Sequence, residues 1–124
     1  MILSLAPDLM IRSRIDVAAR HYGVAARHVT TGEEFLAALA EPGDPWRLVL
    51  LDVDMPGIDG PALIAAARAA TSARVVGSCS HVETDLIRSA RAAGAHSVMA
   101  NSTFTAAIPG LVAPLADAAT LGIQ

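Results

Sequence analysis

The sequence predicts an α/β fold in which a parallel sheet carries helices on both faces. Three observations lead there. Short apolar runs alternate with helical patterns five times along 124 residues, the order of strand–helix units whose right-handed crossovers build a parallel sheet. The run Leu48-Val-Leu-Leu51 has no polar residue to turn towards water, which suits a strand buried on both faces. The helical patterns also begin and end at capping and turn residues. The length suits one domain over residues 1–124, long enough to bury a core.

The first strand is expected over residues 2–6, ILSLA. A helix follows from about Asp8, whose side chain can cap it, to Tyr22, with Gly23 as the left-handed stop. Residues 24–29 form a weaker strand. Thr31-Gly-Glu-Glu34 has capping-box spacing and opens a helix through Phe35 and Leu36, halted by Pro42-Gly43. Trp46 to Asp52 is the third strand. Pro56-Gly57 and Asp59-Gly60 are turn chemistry, and Pro61 suits the first position of an Ala-rich helix that runs to Ala70. Residues 73–79, ARVVGSC, are the fourth strand. Ser80-His-Val-Glu83 is a second capping box, and the helix it opens runs to Ala93 and stops at Gly94. Residues 96–100, HSVMA, are the fifth strand. The last segment, from about Thr105 to Leu121, is helical in composition but holds Pro109, Gly110 and Pro114. An interior proline costs about 3 kcal/mol, so this helix is expected to start late or to kink.

Composition narrows the function. The chain is 53% hydrophobic and 3% aromatic, so its core is built from Ala, Val, Leu and Ile. A net charge of −3 with no basic block argues against nucleic acid and anionic membrane as partners. The single cysteine, Cys79, excludes an internal disulfide and points to a reducing compartment. The first residues lack a basic leader pattern, and no apolar run approaches a membrane span, so a cytoplasmic location is the expectation. The turn after the first strand, LAPDL, has no glycine to cradle a phosphate, which disfavours a nucleotide or flavin. No Gly-x-Ser-x-Gly elbow is present, which disfavours hydrolase chemistry.

Asp52 stands where a central strand runs out, the edge at which ligands and chemistry collect in open α/β sheets. With LLDVDMPGIDG after the third strand and ARAAGA before the fifth, the chain resembles the CheY-like receiver domain of two-component response regulators over essentially its whole length. The resemblance implies a flavodoxin-like (βα)5 sandwich with strand order 2-1-3-4-5. It puts Asp52 at the phospho-acceptor position and Asp54 where the family offers a backbone carbonyl to Mg²⁺.

The chain departs from that family at the residues that surround the acceptor. Ala6 and Pro7 stand where the family's acidic, Mg²⁺-binding pair belongs, and Asp8 lies one residue beyond it. Asn101 takes the place of the lysine that grips the phosphoryl oxygens, and all nine Lys-plus-Arg residues of the chain are arginine. Ser102 replaces the proline that follows, so no cis peptide is expected there. The phosphoryl-binding hydroxyl falls on Ser78, Cys79 or Ser80, depending on where the fourth strand ends. The family's aromatic switch residue is Val98. The likeness therefore implies a degenerate, or pseudo-, receiver: a free-standing interaction module in signalling, not an enzyme, with no cofactor expected. Its partner would be another signalling protein or a second copy of the chain, met through the fourth helix, fifth strand and fifth helix. On that face Phe104, Ile108, Leu111, Val112 and Leu115 either cover the sheet or leave apolar surface for a dimer.

Two alternatives are kept. One is a working acceptor that uses Asp8, Asp52 and the Asp54 carbonyl to hold Mg²⁺, its only chemistry being phosphoryl acceptance at Asp52. The other is a small-ligand binder at the same edge. Against the acceptor role, Asp52 reads more simply as a strand-end carboxylate that caps its loop. Asp54 and Asp59 read as turn residues bonding local amides, and Asp8 as a helix cap. His81 should hang over the Asp52 edge, either paired with that carboxylate or turned to solvent. His21, His28 and His96 lack metal-site spacing. Arg12 sits near the same edge, Arg88 and Arg91 read as a solvated face, and Cys79 as an apolar strand-end residue.

Overall fold

The computed structural model describes residues 1–80 and 84–116. Its strands are β1 (Ile2–Leu5), β2 (Ala26–Val29), β3 (Leu48–Asp52), β4 (Arg74–Cys79) and β5 (Ser97–Ala100). They alternate with helices α1 (Leu9–His21), α2 (Gly32–Leu39), α3 (Gly60–Ala70), α4 (Thr84–Ala92) and α5 (Asn101–Val112). The strands form one parallel sheet in the order β2-β1-β3-β4-β5. This is the expected flavodoxin-like architecture.

The central strands are buried on both faces, and the period of two sorts their side chains. Leu3, Leu5, Val49, Leu51 and Val75 share one core with Phe35 of α2, Ile64 of α3 and Ala90 of α4. Ile2, Leu48, Leu50 and Val76 share the other with Ile11 and Ile15 of α1 and Phe104 and Ile108 of α5. Leu48, Val49, Leu50 and Leu51 are each no more than 1% exposed, which explains the unbroken apolar run. Trp46 precedes β3, where it is buried and donates its indole N–H to the Ala38 carbonyl at 3.2 Å.

Local signals set the helix starts. Asp8 Oδ1 accepts from the Met10 and Ile11 amides at 2.8 and 3.3 Å, and Asp59 Oδ1 from the Ala62 amide at 3.1 Å. Thr31 Oγ1 accepts from the Glu34 amide at 3.0 Å. The return arm of the box slips by one residue, because Glu34 reaches the amide and hydroxyl of Thr30 at 3.4 and 3.3 Å. Thr31→Ala removes the stronger half of this cap and is expected to cost about 1 kcal/mol in denaturant unfolding. The capping box expected over 80–83 falls on residues 81–83, which lie outside the described residues.

The C-terminal helix starts earlier than expected, and its expected end at Leu121 lies outside the described residues. It begins at Asn101, directly after β5, and carries Pro109 inside it before a 3₁₀ turn at Ala113–Leu115. Phe104, Ile108, Leu111 and Val112 fall on one helical stripe and are buried against the sheet. Burial of that stripe outweighs the proline penalty, and Pro109 itself lies on the exposed side. These four side chains therefore cover the sheet. Leu115 is half-buried. Among the described residues the exposed large apolar side chains are Leu9, Met10 and Val17 on α1 and Leu36 on α2.

Candidate functional site

The C-terminal ends of β1, β3 and β4 bring Asp8, Asp52, Asp54 and Ser78–Ser80 to one edge of the sheet. Asp52 is the last residue of β3 and is 9% exposed. Its register partner on β4 is Ser78, which is 1% exposed and lies on the same face of the sheet. Beyond the strand end the ladder gains one more rung, with the Val53 amide donating to the Ser78 carbonyl at 2.8 Å.

Asp52 organises the turn that follows it. Its Oδ1 accepts from the Asp54 amide at 3.2 Å, the side-chain-to-backbone bond by which aspartate starts a turn. Asp54 does more than the local bonding expected of it. Its carboxylate crosses to β4, where Oδ2 accepts from the Ser80 amide and hydroxyl at 3.0 and 2.9 Å and Oδ1 from the same amide at 3.2 Å. Of the three residues proposed for the hydroxyl position, Ser80 is held by Asp54. Cys79 is fully buried, its thiol directed at the Met99 carbonyl at 3.6 Å. Burial first, then the charges of Asp54 and Asp52, push that thiol's pKa up, which makes it a poor nucleophile.

The electrostatics of Asp52 follow from this packing. Burial, then the side-chain hydrogen bond with Asp54, push its carboxyl up from 3.8 to about 7. The charges of Asp54 and Asp8 add to the rise, and the Asp54 N–H pulls the other way. The edge thus favours a neutral carboxyl.

The Mg²⁺ ion that the resemblance implies finds a poor donor set here. Ala6 is 5% exposed and has no side-chain ligand, nor has Pro7. The Asp8 carboxylate caps α1, and the Asp54 carboxylate holds Ser80. Among the described residues no group of three or more His, Cys, Asp or Glu side chains is placed to hold a metal.

The remaining candidates are dispersed. Asn101 opens α5, with its Oδ1 buried and unbonded to any described residue. Val98 is 7% exposed within the core. His28 Nε2 meets Asp16 Oδ1 at 2.7 Å, tying β2 to α1, and His96 Nδ1 accepts from the Val75 amide at 3.0 Å. His21 packs edge-on against Tyr22. Arg88 pairs loosely with Asp85 at 3.8 Å on an exposed face, Arg12 is half-buried, and His81 lies outside the described residues. The Asp54–Ser80 contact was not legible in the sequence. The signal available was an aspartate two residues past a strand end and a serine just past the next strand.

The sequence matches no protein-family model and no curated protein. The fold is that of response regulator receivers. The chain is similar to a receiver domain from Rhodospirillum rubrum at 20% identity and a TM-score of 0.74, with 92% of each chain covered. It is similar to the NarL receiver domain of Mycobacterium tuberculosis at 24% identity and a TM-score of 0.69, covering 92% of this chain and 93% of that one. A Burkholderia pseudomallei response regulator, whose structure holds a phosphorylated aspartic acid and a calcium ion, matches at 18% identity and a TM-score of 0.72. That match covers 92% of this chain and 69% of that one. Among the described residues no helix is long and apolar enough to cross a membrane.

Proposed function

We propose that this chain is an atypical receiver: a signalling module that binds another protein, or a second copy of itself, without the usual Mg²⁺-dependent phosphorylation of Asp52. The carrying observation is the set of residues around that carboxyl: Ala6 and Pro7 at the positions of the family's acidic pair, and Asn101 at that of its lysine. A phosphoryl group adds nearly two negative charges at neutral pH. It would arrive beside Asp54 and Asp8 in a chain with no lysine and with Asn101 at the family's lysine position. Transfer to a carboxylate is mostly positioning and charge neutralisation, and little here neutralises charge.

The docking face is read from the family as α4, β5 and α5. With the apolar stripe of α5 turned inward, that face offers a partner the exposed Asp85, Arg88 and Arg91 of α4 beside the half-buried Leu86, Ile87 and Met99. The free Cys79 suits a reducing, cytoplasmic setting.

Intact mass after incubation with acetyl phosphate and Mg²⁺, beside Asp52→Asn, tests the reading. No added phosphoryl mass is expected in either protein under conditions that load an ordinary receiver. An adduct in the wild type alone would sink the proposal and make Asp52 a working acceptor.

A further inference from the structure

Asp54 makes a hydrogen bond that crosses this edge. It sits in the turn after β3, yet its carboxylate holds Ser80, the residue just past β4 and 26 positions on. Oδ2 accepts both the Ser80 amide at 3.0 Å and its hydroxyl at 2.9 Å, and Oδ1 accepts the same amide at 3.2 Å. Two neighbouring bonds aim the side chain. The Val53 amide is tied to the Ser78 carbonyl at 2.8 Å, and the Asp54 amide is tied to Asp52 Oδ1 at 3.2 Å. Bonds to an ionised acceptor are roughly twice as strong as neutral ones. A carboxylate that takes the amide and the hydroxyl of one residue fixes its orientation as well as its distance.

We propose that Asp54 is an internal latch, whose carboxylate holds Ser80, the residue just past β4, against the β3–α3 turn. The bond ties the strand end at Ser80 to the turn that carries Asp54. This rests on the reading of the chain as a module that works without phosphorylation. It gives Asp52 a part as a positioning residue, the acceptor that orients Asp54.

Residue-resolved amide hydrogen exchange on the full chain is the test. Asp54→Ala is expected to speed exchange of the Ser80 amide at least about tenfold, the loss of a hydrogen bond to a charged group. Asp54→Asn, which keeps one acceptor oxygen, should speed it less, and the Val53 amide should hold its wild-type rate in both. In Ser80→Ala the amide at position 80 should stay slower than in Asp54→Ala, because the backbone donor remains. Equal Ser80 rates in wild type and Asp54→Ala would overturn the latch. So would an equal acceleration at Val53, which marks general loosening. If Asp54→Ala does not fold, the Asp54→Asn comparison decides by the same two readouts. Acetyl phosphate and Mg²⁺ added to the wild-type sample separate the two readings. An Asp52 adduct with Asp54-dependent protection of Ser80 sinks the non-phosphorylated reading alone, whereas no adduct and no such dependence sinks the latch alone.

Discussion

Asp52→Asn is expected to stabilise the folded protein above pH 7 and to flatten its stability between about pH 4 and 7. The wild-type carboxyl titrates at about 7 when folded against an ordinary 3.8. Between those values the folded state binds the extra proton, so wild-type stability falls as pH rises through the window. Below 3.8 both states are protonated and the difference vanishes; above about 7 the full cost of the buried charge is present. Asparagine keeps an oxygen for the Asp54 amide and removes the charge beside Asp54 and Asp8. Discounted for water at this open end of the sheet, the gain at pH 8 should be on the order of 2 kcal/mol. Denaturant unfolding of both proteins at pH 4.5, 6, 7 and 8 reads it directly. Parallel stability curves for the two would show that Asp52 is not held neutral.

Gly60→Ala should be the more damaging change. Gly60 opens α3 and is buried against the backbone of Val53. A methyl group there would collide with the Val53 carbonyl oxygen and lie 2.9 Å from Val53 Cα. Backbone cannot rotate aside as a side chain can, so either α3 shifts or the strand end that carries Asp52 moves. The expected loss is about 3 kcal/mol, roughly a 10 °C fall in melting temperature. Gly57→Ala in the same turn is the control. Its φ of +84° strains an L residue, but nothing lies within 4 Å, so the cost should be only about 1 kcal/mol. Similar losses for the two variants would mean that close approach is not what requires glycine at residue 60.

The two glycines show where reading from sequence stops. Gly57 and Gly60 look alike in MPGIDG, and both were legible as turn residues. Only the approach of α3 to Val53 separates a conformational need from a spatial one. Asp54 is the same case: an aspartate beside a turn reads as a local cap, while its partner at Ser80 depends on how β3 and β4 are aligned. The last helix failed for a related reason. Pro109 is a strong local signal against a helix, and the stripe of Phe104, Ile108, Leu111 and Val112 that overrides it gains its energy only when the sheet is there to cover.

The sequence by itself determined the alternation of strands and helices, the two-faced burial of β3 and the capped starts of α1, α2 and α3. These signals act within a few residues, as when Asp8, Thr31 and Asp59 bond amides no more than three positions on. The resemblance carried by LLDVDMPGIDG supplied the strand order. Tertiary structure alone decided that α5 starts at Asn101, that Gly60 meets Val53, that Asp54 grips Ser80 and that Asp52 is buried enough to favour its proton. Each depends on groups brought together by the sheet, whose desolvation and contact energies exist only once the strands are side by side.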